Sequence, residues 1–566
     1  MDFLVALGTT AAYFFSLYNL FFLQNHSHLY FESSAVLITL ILFGKYLEAK
    51  AKVKTSSAIQ KLMNLSPTNA RILREGKEIQ ISAADLIPGD AIVIRPGEII
   101  PADGIVISGF SAVDESMITG ESIPSDKSEG SRITAGTLNT SGSLIMRADK
   151  TGEDTIISRI IQTVENAALS KAPVQKLADK ISGIFAWSVL SIAAVTFISW
   201  YFYSGNISEA VSNSVAVLVI ACPCALGLAT PTALIAGIGI GASNNILIKD
   251  AESLEMLSKI SILMIDKTGT LTDGKLSVND VIADDNEKDY VLRLTSIAEK
   301  FSEHPLAKAV REKYSDETHP SDFMSYAGKG VSCIYENKVL LCGNAKFMKD
   351  KGIHEDKINE MVLKASKSGK TFLLTAFDNK LIGAVTFDDK LRDSAITTVE
   401  SLENMEIKTI MLTGDNFNSA EKTAKECGIE TFYHSLLPED KAQIIKKYES
   451  KNTRVLFAGD GINDAPALAS ASVGLTVAGG SDIAMEACAI TLLKSDLNGI
   501  VNAVNLSSAV MKKIRQNLFW AFFYNCLGIP LAAFGFLSPL IAGSAMAFSS
   551  VSVVTNSLLL KKKKLF

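Results

Sequence analysis

Ile260-Ser-Ile-Leu-Met-Ile265-Asp266-Lys267-Thr268-Gly269-Thr270 is the stretch that decides the fold of this chain. The apolar run from Ile260 to Ile265 reads as a buried strand. It ends in a carboxylate, and open α/β sheets hold their ligands at the carboxyl ends of parallel strands. The threonines and Gly269 supply a tight polar turn that can approach a phosphate closely. Asp266 is therefore a candidate nucleophile that accepts a phosphoryl group. A lone Asp-Lys would read as an ordinary Asx-type turn. Five residues in this order, with two agreeing signals downstream, favour the phosphoryl acceptor.

Lys408–Leu412 leads into Thr413-Gly414-Asp415-Asn416, and Arg454–Ala458 into Gly459-Asp460-Gly461-Ile462-Asn463-Asp464. Three strand ends would bring Asp266, Asp415, Asp460 and Asp464 to one edge of one sheet. Such carboxylates repel one another unless a cation sits among them, and hard oxygen ligands beside phosphate suit Mg²⁺. Lys441, on a predicted helix between these strands, is placed to neutralise acyl-phosphate charge rather than to be a solvated helix lysine. An insertion of about 275–387 separates Asp266 from Thr413. It carries Glu299, Ser302-Glu303-His304-Pro305, Gly328-Lys329-Gly330 and Gly343-Asn344. Singly these are weak: Gly-x-Gly is common, and a His before Pro more often opens a helix than binds a ligand.

The rest of the chain is partly apolar. Of 566 residues 48% are hydrophobic, and the net charge is −5. Six stretches approach the roughly 20 residues needed to span a bilayer: 3–23, 31–47, 184–203, 211–237, 518–536 and 540–560. The short links 24–30, 204–210 and 537–539 hold no Lys or Arg, whereas Lys50, Lys52, Lys54, Lys171, Lys176, Lys180, Lys512, Lys513, Arg515 and Lys561–Lys564 mark the other ends. Positive residues stay cytoplasmic, so both large loops and both termini are expected in the cytosol. Seven cysteines, two of them inside the fourth span, form no secreted disulfide framework. The acidic balance and the lack of a basic stripe argue against nucleic acid.

The fourth span reads Ala221-Cys222-Pro223-Cys224-Ala225. Proline breaks the helical ladder there, and transporters use such breaks at substrate sites. The two flanking thiols are soft ligands suited to Cu(I) and also to Zn²⁺. Tyr524 and Asn525 in the fifth span and Met546, Ser549 and Ser550 in the sixth are further donors, although buried Tyr, Asn and Ser also serve as glue between helices. No charge occupies the middle of these two spans, which favours a soft monovalent ion. Glu32, Glu48 and Asp179 lie near span ends, where carboxylates either are solvated or pass ions. The first cytosolic loop alternates short strands with Pro-Gly and Thr-Gly turns, a small β domain in which Thr119-Gly120-Glu121-Ser122 is a polar turn of weak standing alone.

Taken together, Asp266–Thr270, Thr413–Asn416 and Gly459–Asp464 resemble the P-type ATPases. Cys222-Pro223-Cys224 and Ser302–Pro305 resemble their heavy-metal branch, and Tyr524-Asn525 with Met546–Ser550 resembles the copper(I) exporters. The resemblance implies a multi-domain membrane protein. It would combine a six-span α-helical bundle, a β-rich actuator domain, a Rossmann-like (haloacid-dehalogenase-like) α/β phosphorylation domain and an inserted α+β nucleotide-binding domain. The implied order is spans at 1–54, actuator 55–173, spans 174–241, phosphorylation domain 242–274 and 388–511 around nucleotide domain 275–387, and spans 512–566. ATP would bind through Glu299, His304, Gly328, Gly330 and Asn344. Asp266 would take the γ-phosphoryl, with Mg²⁺ at Asp266, Asp460 and the Thr268 carbonyl, Thr413 and Lys441 on the phosphoryl oxygens, and Asp464 beside them. Glu121 would position the hydrolytic water. Cu(I), and Ag(I), would pass Met1, Glu48 and Asp179, bind Cys222, Cys224 and Met546 near Tyr524, Asn525 and Ser550, and leave near Glu32. The bilayer and a cytosolic copper chaperone are the implied partners, and the cell membrane the location.

The resemblance departs at the start. Members usually carry two further spans and Cys-x-x-Cys metal domains before the position of Met1, so a truncated chain is one expectation, an inactive one included. A Zn²⁺ or Cd²⁺ pump is the near alternative, but would be expected to carry charged residues in the last two spans. A metal sensor with an idle core would lack Asp266, Lys441 or Glu121, and a plain phosphatase would not need six spans.

Overall fold

The computed structural model describes the chain apart from residues 1, 19, 22–30, 33, 37, 40–41, 44, 47–66, 75, 117–123, 222–223, 284–286, 327–328, 367–370, 416, 451–452, 461–463, 478–487 and 563–566. Two compact units emerge. One is Met1–Lys259 with Ala489–Lys494 and Asn502–Phe566; the other is Ile260–Cys488 with Ser495–Val501.

The second unit is built on five parallel strands in the spatial order Val473–Thr476, Val455–Gly459, Ile262–Asp266, Lys408–Leu412, Thr431–Tyr433. Ile262 to Ile265 are buried on both faces, which is why the strand reads as an unbroken apolar run rather than an alternation. The chain starts at the central strand, builds to one edge, then crosses to the other side. The order therefore reverses between Ile262–Asp266 and Val455–Gly459, and such a reversal opens a crevice at the strand ends.

The insertion is a six-stranded antiparallel sheet, Thr272–Ile282, Lys380–Leu391, Thr371–Phe377, Lys338–Gly343, Gly330–Tyr335 and Ser321–Tyr326 in spatial order. Alternate residues serve opposite faces. Leu340, Cys342, Leu373 and Val385 pack with Val291, Leu294, Ala309 and Val310 of helices Lys288–Ala298 and Pro305–Lys313. Leu341, Leu374 and Ala384 pack with Phe347, Met348 and Ile358 of the helices Ala345–Asp350 and Glu355–Ser366.

In the first unit, a six-stranded sheet includes Asn69–Arg74, Ala91–Ile94, Asp103–Gly109 and Leu144–Lys150 around a core of Ile72, Ile92, Ile94, Leu144 and Met146. The apolar helices are Asp2–Tyr18, Pro173–Ser204, Ile207–Ile220, Cys224–Ala229, Pro231–Ser243, Asn498–Ala533 and Pro539–Leu558. Among the described residues, three helical stretches are long and apolar enough to cross a membrane: Ile156–Ser204, Leu226–Ser243 and Ile541–Lys561. The span at 211–237 is expected to break at its Cys-Pro-Cys, and separate helices flank those residues; a second interruption, at Thr230-Pro231, lies outside that expectation. The helix stops at Ile220, resumes at Cys224, and breaks again at Thr230-Pro231. Pro231 has no N–H to continue the ladder.

Gly330 pairs with Gly343 so closely that a Cβ on Gly330 would collide with the Cys342 carbonyl oxygen and the Gly343 Cα. Gly330→Ala is expected to cost about 1–3 kcal/mol, the range of overpacking. Hydrogen exchange checks this: the Lys338–Gly343 amides should lose protection while the Ile262–Asp266 amides keep theirs.

Candidate active site

Asp266 closes the central strand and is 5% exposed. Lys441, from the helix Pro438–Tyr448, donates to Asp266 Oδ1 at 2.6 Å and to Asp464 Oδ1 at 2.7 Å. Both partners are as buried as the carboxylate, with Lys441 at 7% and Asp464 at 1% exposure. Burial, then the Asp464 charge, push the Asp266 carboxyl up to about 7 against the downward pull of Lys441. Burial works to neutralise Lys441, but Asp266 and Asp464 outweigh it and raise its pKa. Asp460 is also shifted upward, by burial first and Asp464 second.

Three carboxylates thus face one ammonium, and Asp460 Oδ1 is buried with no hydrogen-bond partner among the described residues. An orphaned carboxylate oxygen in an electronegative pocket fits a divalent cation with oxygen preference. Gly269, at φ +75°, turns the chain beside Asp460, whose Cβ and Oδ2 would lie 3.4 Å from any added Cβ. That turn leaves the Thr268 carbonyl in the same loop. Thr413 is buried after the neighbouring strand, where its Oγ1 accepts from Asp415 N at 3.1 Å. Asp415 itself does not join the triad through Lys441. Its carboxylate takes Lys267, which also donates to Ser419 Oγ at 2.8 Å. The expected cluster of four carboxylates is therefore divided, because each lysine claims its own partners.

Two contributors went unassigned in the sequence. Lys267 was visible inside the quoted motif but had no evident partner. Arg392, which follows the last long strand of the insertion, donates to the carbonyls of Gly269 and Thr270, each at 2.8 Å. It clamps the loop that follows Asp266, and no local sequence signal marks a contact across more than a hundred residues.

In the insertion Glu299 is buried, with Oε2 unpartnered among the described residues and its pKa raised by burial. Arg311 donates to the Glu299 and Ser302 carbonyls and closes the loop between them. His304 is exposed and caps the helix Pro305–Lys313, its Nδ1 accepting from Leu306 N at 3.2 Å. The neutral ring then carries its proton on Nε2. Asn344 caps the helix Ala345–Asp350 through Phe347 N at 2.8 Å, and its own N–H donates to Lys329 O at 2.9 Å. Lys329 and Asn344 border the Gly330–Gly343 pairing; Gly328 lies outside the described residues.

Among the membrane helices Asn525, Met546, Ser549 and Ser550 are buried, whereas Tyr524 is 40% exposed beside Trp520 and Phe523. Cys224 opens its short helix. Asp179 is exposed and pairs with Lys171 at 3.2 Å, and Glu32 is exposed. Cys222, Glu121, Glu48 and Met1 lie outside the described residues.

An aspartate at the carboxyl end of a central parallel strand, met by a lysine and further aspartates from later strand ends, defines a haloacid dehalogenase-like phosphotransfer site. The sequence profile of that hydrolase class matches residues 260–472, and that of the P-type ATPase actuator domain matches 64–165. A copper-exporting P-type ATPase of Staphylococcus saprophyticus is 46% identical over 578 residues, covering 100% of this chain and 72% of its own length. A probable copper-importing P-type ATPase A of Enterococcus hirae is 46% identical over 570 residues, covering 100% and 78%. Among solved structures, a zinc-transporting PIB-type ATPase superposes with a TM-score of 0.64 at 29% identity, over 93% of this chain and 87% of that one. A second structure of a zinc-transporting PIB-type ATPase, in a different state, gives 0.59 at 28%, over 98% and 90%. The chain belongs to the P-type ATPases, in their heavy-metal branch. It is an ATP-hydrolysing membrane transporter that works with Mg²⁺.

Removing Lys441 would leave two buried carboxylates without their cation. Lys441→Met is expected to lower phosphoenzyme formation from ATP by about 100-fold or more, the scale of losing one preorganised charge partner; acid-quenched labelling measures it. Asp266 also sets a pH dependence. Its folded pKa lies above the unfolded value, so its contribution is present below about pH 4 and lost as pH rises through about 7. In chelator, Asp266→Asn should therefore melt progressively higher than the wild type between pH 5 and 8, by at least ~2 °C at the top. Thermal unfolding across that range checks the sign.

Proposed function

We propose that the chain exports Cu(I), and accepts Ag(I), across the cell membrane through a phosphorylated Asp266. One observation carries the choice of cargo: the donors of the last two helices, Asn525, Met546, Ser549 and Ser550, are buried and uncharged. The helix that Cys224 opens packs on the same helices, through Leu226, Leu228, Ala521, Val553 and Val554. A thiolate pair from Cys222 and Cys224 with a thioether suits a soft monovalent ion. A divalent ion would leave more positive charge in an apolar setting. The copper-named relatives support this reading. The zinc-transporting structural neighbours, at lower identity, support the shared architecture.

In the proposed cycle ATP is held by Glu299, His304, Gly328, Gly330 and Asn344. An Asp266 oxygen attacks the γ-phosphorus, forming the aspartyl phosphate as the bond to the ADP oxygen breaks. Lys441 and Thr413 hold the phosphoryl oxygens, and Asp464 keeps Lys441 in place. Asp266, Asp460 and the Thr268 carbonyl would hold Mg²⁺, which when bound neutralises phosphoryl charge. Glu121 then positions water for hydrolysis of the acyl phosphate. Cu(I) passes Met1, Glu48 and Asp179 and leaves near Glu32. Metal occupancy and phosphorylation favour or disfavour one another by equal free energies. The large loops and termini face the cytosol, where a copper chaperone delivers the ion and lipid surrounds the spans.

The experiment is phosphoenzyme formation in membranes, with metal chelated and then restored. Stimulation by Cu(I) and Ag(I), abolished in Cys222→Ser, is expected, with ATP-driven uptake into inside-out vesicles giving the outward direction. Stimulation by Zn²⁺ alone would overturn the cargo, and uptake into right-side-out vesicles would overturn the direction.

A further inference from the structure

We infer that Asn517 is a positioning residue for transport: it holds the carbonyl freed at the second break of the fourth span and so fixes the helical turn that begins at Cys224. The inference rests on the proposed role of that turn in binding the transported ion.

The break itself frees acceptors. Leu234 N donates to the Thr230 carbonyl at 3.0 Å, the first bond of the new helix, so the Ala229 carbonyl falls just outside its ladder. An unpaired carbonyl among apolar helices costs as much as a lost hydrogen bond or more. Asn517 Nδ2 donates to Ala229 O at 3.0 Å, and the neighbouring Leu228 carbonyl takes Thr232 Oγ1 at 2.7 Å. Two carbonyls at the break are thus taken by side chains, one from its own helix and one from the helix Asn498–Ala533.

Asn517 is 1% exposed and fully engaged. Its second N–H donates to Ser557 Oγ at 2.8 Å, and its Oδ1 accepts from Asn556 Nδ2 at 2.8 Å. Ser557 Oγ meets Thr232 Oγ1 at 3.0 Å, and Asn556 Oδ1 takes Lys513 Nζ at 2.7 Å. One side chain therefore ties three helices to the break, inside the apolar cluster of Leu226, Leu228, Ala521, Val553 and Val554.

Its placement links it to the cargo. Asn517, Ala521 and Asn525 recur every four residues on one buried helix face. At 1.5 Å per residue, Asn517 lies about 12 Å from Asn525 along that helix. Ser557 and Ser550 share a face of the helix Pro539–Leu558, about 10 Å apart. The network sits on the faces that carry the proposed donors, below them, and grips the far end of the six-residue helix that Cys224 opens. A shift of the Ala229 end moves the Cys224 end with it.

The test uses the whole chain in membranes, with phosphoenzyme formed from ATP at graded Cu(I), Ag(I) or Zn²⁺, and separately from inorganic phosphate without metal. Asn517→Ala should raise the half-stimulating Cu(I) concentration by about tenfold or more, the scale of one buried carbonyl left unpaired. The phosphate reaction, which needs no ion at the site, should stay within about twofold. Ser557→Ala removes a partner of Asn517 but leaves the Ala229 contact, so its shift should stay under about threefold. Wild-type copper dependence in Asn517→Ala, or equal shifts in both variants, would overturn the assignment. If Asn517→Ala loses the phosphate reaction too, Asn517→Ser is read in the same assays and by the same outcomes. A wild type that answers Zn²⁺ and not Cu(I) overturns the cargo alone, and Asn517 is then judged by its shift on Zn²⁺.

Discussion

Lys441 places one cation between Asp266 and Asp464 where water scarcely reaches, and much of the second unit is arranged to permit this. A buried carboxylate is costly unless paired, and a buried pair is costly unless its geometry is good. Five parallel strands provide that geometry by delivering the two aspartates from the ends of adjacent strands. The strand order reverses between them, so the crevice opens where the charges meet. The remaining electronegativity, with Asp460 Oδ1 unpaired among the described residues, is the feature that fits the proposed metal-bound phosphate.

Around this centre the neighbouring charges are kept from interfering. Lys267, adjacent in sequence to Asp266, is drawn to Asp415 and Ser419 and leaves the Asp266 and Asp464 carboxylates to Lys441. Arg392 donates to the Gly269, Thr270 and Ser495 carbonyls, which fixes the loop without adding a partner to Asp266. The membrane helices meet a different constraint. There the backbone itself is the polar burden, and a proline that opens a break leaves carbonyls for side chains to take. Asn517 and Thr232 take two of them at Thr230-Pro231.

Much of this was legible in the chain because motifs of phosphate chemistry are local. Asp266 through Thr270, the turn at Thr413 and the run from Gly459 to Asp464 each sit directly after a strand, so strand and motif can be read in one window. His304 shows the limit of such reading, since its Nδ1 serves as a helix cap, a role that the following proline permits without deciding the fate of Nε2. Tyr524 shows it again: the residue next to Asn525 stands on another helix face, beside Trp520 and Phe523, because successive helix positions turn by about 100°.

The sequence by itself determined the parallel strand that ends in Asp266, the strand–helix insertion, the apolar helices and the broken span, because each follows from periodicity or from residues a few positions apart. Only the tertiary structure decided which lysine reaches Asp266, that Asp415 is taken by Lys267, that Arg392 holds the loop, and that Asn517 meets Ala229. Those pairings join residues 122 to 288 positions apart. No local pattern selects among many equivalent lysines, arginines and asparagines; burial and strand order do, by leaving one partner within reach of each buried charge or carbonyl.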